Sequence, residues 1–494
     1  MECSKKRPYD LSSVNSIVDY GMLLLGHSLK ELHPEAKSFK GKGGLGNSVE
    51  YYHYEYEPNS ESEPDFAEAG LELKCSPLKL LKDDSMVAKE RLVLNIINYI
   101  EEGSKSFEDS SFWHKNKFLL LMFYLHESGI DPVDMIFKLI RTWQFPEEDL
   151  KIIRDDWNTI HSFIVNGKAE ELSEGLTFYL AACMKGSKSG TEMRKQPFSD
   201  VLAQQRAYSL KQGYINKIIL ASYLDAELNH QLRISPSKLK KLQEKYSSEN
   251  IVKSVSAYKK GETFEQLVER KMRPFYGKTI VQISSQLNME FNCSSKDFAY
   301  HVCRGIFGVK SKHIKEFENA DISLKTIVLE SDRDYVRESM SFPYIRFVDI
   351  VNQEWENSDW YKTLTSKFFF VVFRKSPDDR KENMRLEKVF FWNMPYSDLS
   401  IAECLWYDTK NKAIEGDYNS FITTKTNNRV CHVRPHGTKG QTVLTPQGTR
   451  VQPKCFWLNN NYILELVKSQ INKNIKTIRR LLTDSTSCKR WHYN

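Results

Sequence analysis

The sequence predicts an α/β fold built as two tandem domains, each a mixed β-sheet flanked by helices. Short apolar and β-branched runs have the length of strands, and longer amphipathic stretches between them have the period of helices. Similar segments also recur in the same order in the two halves of the chain, which indicates two copies of one domain.

The individual elements follow in chain order from these patterns. Runs dense in Leu, Ile and Phe between turn signals are typical of buried strands, and apolar residues three or four positions apart are typical of helices. The predicted helices are Leu11–His33, Glu147–Val165 and Phe264–Phe275, and the predicted strands are Gly70–Cys75, Glu90–Tyr99, Phe118–Tyr124 and Leu176–Ala182.

The duplication sets the domain boundaries. AGLELK at 69–74 recurs as ADISLK 251 residues later, and three further pairs follow in the same order. Repeats this long are whole domains, because solenoid units run to about 20–50 residues. We predict domains at 1–234 and 263–494, joined by a linker at 235–262 that is rich in Lys, Ser and Glu. The other aligned pairs are Ser111–Phe123 with Ser358–Phe373, Gly175–Gly186 with Asn428–Gly437, and Ala207–Ile215 with Cys455–Ile463.

The composition is typical of a globular protein with more than one domain. The chain has 494 residues, 40% of them hydrophobic, which is enough for more than one core, and its net charge of +7 suits a polyanionic partner. The nine cysteines show no CxxC spacing, so we expect reduced thiols in a cytoplasmic protein. The charged N-terminus is no signal peptide, and the apolar run Phe118–Leu125 is too short to cross a membrane.

The motif with the clearest chemistry is Pro64-Asp65, six residues, then Glu72-Leu73-Lys74. Alternate side chains of a strand share a face, so Glu72 and Lys74 point one way and Leu73 points into the core. The two carboxylates and the Leu73 carbonyl are oxygen ligands of the kind that Mg²⁺ prefers, and Lys74 would orient or deprotonate an attacking water. The spacing predicts the PD…(D/E)xK metal site of a nuclease. The alternative is a chance arrangement of solvated carboxylates, so the surrounding sequence matters.

A glycine-rich segment upstream, KGKGGLGNSVE at 40–50, adds a third carboxylate. Its GxGxxG spelling does not indicate a dinucleotide site, because no apolar strand precedes it. A tight, basic turn that opens a helix over Asn47–Tyr56 is expected instead. Glu50 on that helix is predicted to face Asp65 and Glu72; the alternative is an exposed helical residue.

Together, KGGLGNSVE, PDFAEAGLELK and KERLVLNIINY resemble the MutH family of mismatch-repair endonucleases and the related type II restriction endonucleases that cut at GATC. The sequence is most similar to the longer restriction enzymes. The resemblance implies a restriction-endonuclease-like fold, Mg²⁺ as cofactor, and double-strand cleavage before the G of GATC, which leaves 5′ overhangs. It implies catalytic roles for Glu50, Asp65, Glu72 and Lys74, metal ligation by Asp65, Glu72 and Leu73, and a further active-site lysine at Lys89.

The second copy does not repeat the carboxylates. At the offset of 251 residues, Asp65, Glu72 and Lys74 correspond to Glu316, Ser323 and Lys325. Ser323 is a poor ligand for a divalent cation compared with a carboxylate. We therefore predict that the first copy cuts, while the second binds another DNA site as an allosteric effector, with self-association on two-site DNA.

Sequence specificity is expected in the later part of each copy. Small residues in KGSK at 185–188 allow close approach to a duplex, and the lysines would meet phosphates or base edges. RAYSL at 206–210 resembles the family segment that senses adenine methylation, with Ser209 in the place of a tyrosine, so the response to methylation stays open. The predicted DNA contacts are Lys185, Lys188, Arg206, Ser209 and Lys211 in the first copy, and Arg434 and His436 in the second.

Two other functions remain open at this level. A mismatch-repair nickase would use the same residues and cut one strand, although the resemblance to that enzyme covers one short domain. A non-enzymatic DNA-binding protein would make the first-copy carboxylates bystanders. A restriction enzyme would also require a protecting methyltransferase in its host.

Overall fold

The computed structural model describes residues 7–41, 43–59, 61–185, 193–225, 228, 230–232, 235–423 and 429–471. The chain divides into two compact units. The first unit comprises residues 1–263 and 309–322, and the second comprises 264–308 and 323–494. The segment 309–322 is therefore grouped with the first unit, although the residues on either side of it belong to the second.

The first unit is built on two main β-sheets. Its strands are β1 (Glu72–Leu80), β2 (Met86–Ala88), β3 (Leu92–Ile96), β4 (Phe118–Leu125), β5 (Phe137–Gln144), β6 (Leu180–Met184), β7 (Met193–Gln196), β8 (Ser199–Gln204), β9 (Arg206–Leu210), β10 (Ser248–Glu249) and β11 (His313–Ile314). One sheet has the order β2-β1-β4-β5, with β1 and β4 parallel and the other neighbours antiparallel. The second sheet is antiparallel, in the order β3-β9-β6, and β7 pairs with β8 as a hairpin.

The second unit repeats this arrangement of strands. They are β12 (Ser323–Leu329), β13 (Met340–Tyr344), β14 (Phe368–Arg374), β15 (Arg385–Trp392), β16 (Cys431–Pro435), β17 (Val443–Leu444), β18 (Arg450–Val451) and β19 (Lys454–Leu458). β12 is parallel to β14 and β14 antiparallel to β15, as for β1, β4 and β5. The antiparallel sheet β13-β19-β16 matches β3-β9-β6, and β17 with β18 matches the hairpin.

Helices flank the sheets in both units. They are α1 (Val14–Met22), α2 (Leu29–Leu32), α3 (Gly44–Ser48), α4 (Tyr99–Glu102), α5 (Ser111–Asn116), α6 (Glu147–Val165), α7 (Gln212–Leu224), α8 (Pro236–Lys245), α9 (Phe264–Met272), α10 (Ile280–Leu287), α11 (Phe298–Phe307), α12 (Lys315–Asn319), α13 (Phe347–Ile350), α14 (Asp359–Leu364) and α15 (Tyr396–Glu415), followed by a helix over 460–471. Every cysteine that the structure describes is a free thiol. Within the described part of the chain, no helix combines the length and apolarity that a membrane span requires.

The predicted α/β fold with tandem mixed sheets is confirmed, and so are its strongest elements. The helix predicted at Glu147–Val165 is α6 itself, and the strand predicted at Phe118–Tyr124 is β4. The single helix predicted over Leu11–His33 is wrong, because α1 ends at Met22 and Gly26 takes a left-handed φ of 84° before α2. A residue with that backbone conformation interrupts a right-handed helix.

The duplication extends to buried side chains. In the first unit the Tyr214 hydroxyl donates a hydrogen bond to Asp149 at 2.9 Å, and in the second the Tyr462 hydroxyl donates to Asp398 at 2.7 Å. Each aspartate lies in the first turn of its long helix, α6 or α15, and each helix follows a proline. The two units therefore share strand order, strand direction and a buried polar contact.

Candidate active site

The start of β1 brings two of the predicted site residues to one face. Leu71 and Leu73 are buried in the hydrophobic core, while Glu72 and Lys74 alternate with them and face the other side. The carboxylate of Glu72 is fully buried, and the Lys74 ammonium donates a hydrogen bond to its Oε1 atom. The alternation expected for this strand is therefore present.

The turn before β1 places Asp65 against these residues. The Asp65 backbone N–H donates to Glu72 Oε2 at 3.0 Å, and the Leu73 N–H donates to Asp65 Oδ2 at 2.9 Å. The Phe66 and Leu71 backbones are also hydrogen-bonded across the turn. The two carboxylates are thus fixed to each other through the backbone.

The glycine-rich segment supplies the third carboxylate. It forms α3, which continues as a single π-helical turn over Val49–His53 that contains Glu50. Gly44 is required there, because a side chain would overlap the carbonyl oxygen of Phe39. The helix predicted over Asn47–Tyr56 therefore begins earlier and ends at His53. Turns of π-helix inside α-helices are frequent at functional sites.

The electrostatics link Glu50 to the residues of β1. Burial, reinforced by the neighbouring Asp65 carboxylate, raises the pKa of Glu50 to about 7. Burial also raises the pKa of Glu72 to about 7, although Lys74 acts in the opposite direction. Burial alone would lower the pKa of Lys74, but Glu72 and Asp65 outweigh it and the net shift is upward. The pKa values of acidic groups at active sites are typically displaced toward neutral pH in this way.

A second lysine, Lys115, was missed by the sequence analysis. It lies in the last turn of α5 and is 9% exposed. Its ammonium lies 3.8 Å from Glu72 Oε1 and donates to the Glu61 carbonyl at 2.8 Å. α5 leads directly into β4, whose Leu119 is paired with Glu72. Its position could have identified it in the sequence, because Lys115 stands about one helical turn before a strand that runs parallel to β1.

The structure does not bring Lys89 to the carboxylates. Its side chain is exposed, and its backbone N–H donates to the Pro77 carbonyl. Pro77 is five residues beyond Glu72 on β1, or about 16 Å at the rise of a strand. Lys115, and not Lys89, is therefore the lysine that lies beside Glu72 together with Lys74 in the described structure.

Three of the predicted DNA contacts in the first unit are buried. Arg206 is 3% exposed and donates to the Ala182 carbonyl at 2.9 Å, and Lys211 donates to the Thr177 carbonyl at 2.5 Å. Ser209 is fully buried in β9, between β3 and β6. In the described conformation these three side chains are covered by the rest of the first unit. Their role as DNA contacts stays a prediction. Lys185 is exposed, and Lys188 lies outside the described residues.

The second unit has the same strands without the carboxylate pair. Ser323 is exposed at the start of β12. Lys325 lies 5.3 Å from the centre of the Phe342 ring, and burial lowers its pKa. Glu316 is buried and accepts two backbone hydrogen bonds from Ile251 and Val252. Nothing in this geometry resembles the cluster around Glu72.

Arg434 and His436 lie at the exposed end of β16. The Arg434 guanidinium stacks over the Trp457 ring at 3.7 Å, and the His436 ring meets the same tryptophan edge-on at 5.0 Å between centres. Tyr344, at the end of β13, lies 6.0 Å from His436. The Arg434 guanidinium and the rings of His436 and Tyr344 thus lie close together on the exposed side of this sheet, with the Trp457 ring buried beneath them.

Comparison with known proteins decides the family. The family model of the DNA mismatch repair enzyme MutH matches the chain twice, at residues 54–156 and 307–403. The type II restriction enzyme Sau3AI of Staphylococcus aureus is 31% identical over 469 residues, which are 88% of this chain and 90% of that protein. The chain belongs to the MutH family.

Both branches of the MutH family are represented among the relatives. The DNA mismatch repair protein MutH of Vibrio campbellii is 23% identical over 193 residues, which are 38% of this chain and 82% of that protein. The relation to the restriction enzyme covers both units, whereas the relation to the repair protein covers the length of one. The chain is accordingly a site-specific deoxyribonuclease of the type II restriction class. The two matches of the family model coincide with the two parallel strand pairs.

Proposed function

We propose that this protein is a Mg²⁺-dependent endonuclease that cuts both strands of DNA before the G of GATC, and that only its first unit performs the chemistry. The observation that supports this most strongly is the cluster of Glu50, Asp65, Glu72, Lys74 and Lys115. The strand pair β1 and β4 beside this cluster has a counterpart in β12 and β14 of the second unit, where Ser323 takes the position of Glu72. The specificity for GATC rests on the resemblance of the glycine-rich and PDFAEAGLELK segments to enzymes that cut there.

The donor set around Glu72 fits Mg²⁺. Among the described residues, no three His, Cys, Asp or Glu side chains form a ready-made metal cage. Mg²⁺ usually keeps several waters and takes one or two carboxylates from the protein, so Asp65, Glu72 and the Leu73 carbonyl are sufficient. Burial raises the pKa of Glu72 although Lys74 and Lys115 act in the opposite direction, which favours a further positive charge at this carboxylate. A bound cation would offset the negative charge of Glu72 and, when bound, would stabilise negative charge on the scissile phosphate.

The protein groups have separate tasks in this proposal. Lys74, held by Glu72, orients the attacking water. Glu50, whose pKa lies near 7, is suited to accept a proton close to neutral pH. Lys115 places a fixed positive charge beside Glu72, where it stabilises the charge that develops on the phosphate.

DNA binding is proposed for exposed groups in both units. In the first unit, Lys185 follows β6 and reaches solvent where a duplex would approach, and Lys188 continues the same segment of sequence. In the second unit, Arg434 and His436 stand on the aromatic surface formed with Trp457 and Tyr344. Arginine side chains donate hydrogen bonds to guanine and to phosphate, and stacking on an aromatic ring keeps such a side chain extended. We propose that this surface binds a second GATC site as an effector, and that two-site DNA brings molecules together.

Plasmid cleavage tests the proposed activity. Supercoiled DNA with GATC sites is incubated with the protein in Mg²⁺ or in excess chelator, and the ends of the products are sequenced. Linear products with 5′-GATC overhangs, formed only with Mg²⁺, are expected. Nicked circles as the final product would support a repair-type nickase, and intact plasmid with retained binding would support an idle DNA-binding protein.

A further inference from the structure

A segment of the second copy is packed as part of the first unit. We call residues 309–322 the strap. At the offset of 251 the strap corresponds to residues 58–71, the segment that leads Asp65 into β1. The MutH family model also matches the chain across both segments. The strap therefore descends from the part of the repeat that, in the first copy, builds the metal-binding turn.

The strap retains the shape of that turn. The Leu71 N–H donates to the Phe66 carbonyl in the first copy, and the Ile322 N–H donates to the Phe317 carbonyl at the same positions in the strap. The backbone before each strand is also left-handed in both copies, with φ of 62° at Gly70 and 51° at Asp321. The second copy thus has the same backbone conformation in this turn, although its side chains make different contacts.

Glu316 shows how the chemistry changed, because it occupies the position of Asp65. Its Oε2 accepts a hydrogen bond from the Ile251 N–H at 2.9 Å, and its Oε1 accepts one from the Val252 N–H at 3.0 Å. The side chain is 3% exposed. Both oxygens are occupied by backbone donors of the predicted linker, so this carboxylate fastens the strap to the first unit and is not open to a metal.

The other end of the strap caps a helix of the first unit. Asp321 Oδ2 accepts the Gly213 N–H at 2.9 Å in the first turn of α7. The residue before that helix, Lys211, supplies no side-chain cap, and an oxygen at this position satisfies one of the donors that every helix start leaves unpaired. Gly213 fits because it has no side chain: an added methyl group would overlap the carbonyl oxygen of Glu318.

α7 connects this cap to the catalytic sheet. The Gln212 side chain donates to the Ala88 carbonyl at 2.7 Å, and Asn216 accepts the Ala88 N–H at 2.8 Å. The Tyr223 hydroxyl accepts the Met86 N–H at 2.9 Å. These bonds hold both ends of β2, which pairs with β1, the strand that begins at Glu72. A continuous series of hydrogen bonds thus runs from the strap to the strand with the catalytic carboxylate.

We propose that the strap is the positioning element through which effector DNA on the second unit changes the rate of cleavage by the first. The inference rests on the effector role proposed above. The two states are a fastened strap, with the Glu316 and Asp321 hydrogen bonds made, and a released strap, with them broken. The structure describes the fastened state. Effector DNA raises the share of molecules in this state, which holds α7 and, through β2, the catalytic strand. Coupling of this kind requires an element with two states that both sites bias.

The test uses two strap variants and one matched control in the full-length protein. Glu316→Gln keeps the size of the side chain but replaces one acceptor by a donor facing a backbone N–H. Gly213→Ala adds one methyl group against the strap, although alanine is favourable in a helix. Glu318→Gln is the control, because Glu318 is in the same helix and its carboxylate pairs with the exposed His313.

Cleavage of a one-site duplex is measured under single-turnover conditions, with and without a second GATC duplex that sulfur substitution makes resistant to cleavage. We expect this effector to accelerate the wild type and Glu318→Gln about 5- to 150-fold, the usual range of such coupling. Glu316→Gln and Gly213→Ala should cut at the unstimulated rate within about twofold, and the effector should change that rate less than about twofold. Hydrogen exchange at Ile251 and Val252 should be faster in Glu316→Gln, which reports release of the strap.

Each alternative result has a distinct meaning. Full stimulation of Glu316→Gln with rapid exchange at Ile251 and Val252 would overturn the role of the strap and leave the effector function intact. A wild type that cuts but does not respond to the effector duplex would overturn the effector function itself. Loss of unstimulated cleavage in both variants would make the strap a plain structural support, which also overturns the proposal.

Discussion

Lys74 and Lys325 hold the same position in the parallel strand pairs of the two units, and their surroundings are opposite. Lys74 faces Glu72 and Asp65, which raise its pKa, whereas Lys325 lies over the Phe342 ring, where burial lowers its pKa. The strand pairs that carry them, β1 with β4 and β12 with β14, are parallel in both units. The same backbone arrangement therefore surrounds one lysine with carboxylates and the other with an aromatic ring, and a few side chains make the difference.

The largest difference between the units should appear at the first residue of each strand. Glu72→Gln should lower the rate of DNA cleavage roughly 10³-fold or more, because it removes a proposed metal ligand and the partner of Lys74. Ser323→Ala changes the same position in the second unit and should leave the unstimulated rate unchanged within about twofold. Single-turnover cleavage at saturating Mg²⁺ measures both. An equal loss of cleavage rate in the two variants would show that the two positions contribute equally to cleavage.

Lys115 provides a second, smaller test. Lys115→Met should lower cleavage about 10²-fold by removing a positive charge 3.8 Å from the Glu72 carboxylate. Lys117→Met is the matched control, since Lys117 is exposed two residues later. Its rate should equal that of the wild type. If Lys115→Met were fully active at every Mg²⁺ concentration, Lys115 would have no part in the reaction.

Only part of the candidate site could be predicted from the sequence. The grouping of Asp65, Glu72 and Lys74 was predictable because one strand and the turn before it hold all three within ten residues. Lys115 was missed because only the pairing of β1 with β4, more than forty residues apart, brings it to Glu72. The burial of Arg206, Ser209 and Lys211 was not predictable for a similar reason. Their polar character suggested a surface, but Arg206 and Lys211 bond to the carbonyls of Ala182 and Thr177, which the fold brings to them from more than twenty residues away.

The carboxylates with raised pKa values should make metal binding depend on pH. Glu50 and Glu72 have pKa values of about 7, so each is mostly protonated at pH 6 and mostly ionised at pH 8. Mg²⁺ affinity should therefore be about tenfold weaker at pH 6 for each such group that the ion engages. Without metal the sign for stability is the reverse: a carboxyl whose pKa is raised on folding costs stability as pH rises through 7.

Titration calorimetry and thermal unfolding check this prediction together. The increase in melting temperature on adding Mg²⁺ should be larger at pH 8 than at pH 6 in the wild type. It should be nearly absent in Glu72→Gln, and unchanged in Ser323→Ala. An increase that is independent of pH would show that these two carboxyl groups are already ionised in the metal-free protein.

The smallest expected effect is a loss of stability when the tyrosine–aspartate hydrogen bond that both units contain is removed. Tyr214→Phe and Tyr462→Phe each remove a hydroxyl that donates to a buried aspartate, Asp149 or Asp398. Each should cost about 1.5–3 kcal/mol, because hydrogen bonds to charged groups are worth that much. Denaturant unfolding followed unit by unit by hydrogen exchange is the measurement. A cost confined to one unit would mean that the repeated contact is not equivalent in both.

The most direct test of the central claim is to compare Asp65→Asn with Lys325→Met on one plasmid in Mg²⁺, with the cut ends sequenced. Asp65 belongs to the proposed metal site, and Lys325 occupies the position of Lys74 in the other unit. Linear DNA with 5′-GATC overhangs is expected from the wild type and from Lys325→Met. Intact plasmid is expected from Asp65→Asn. Cleavage by Asp65→Asn, or its loss in a folded Lys325→Met, would contradict the assignment of the chemistry to the first unit.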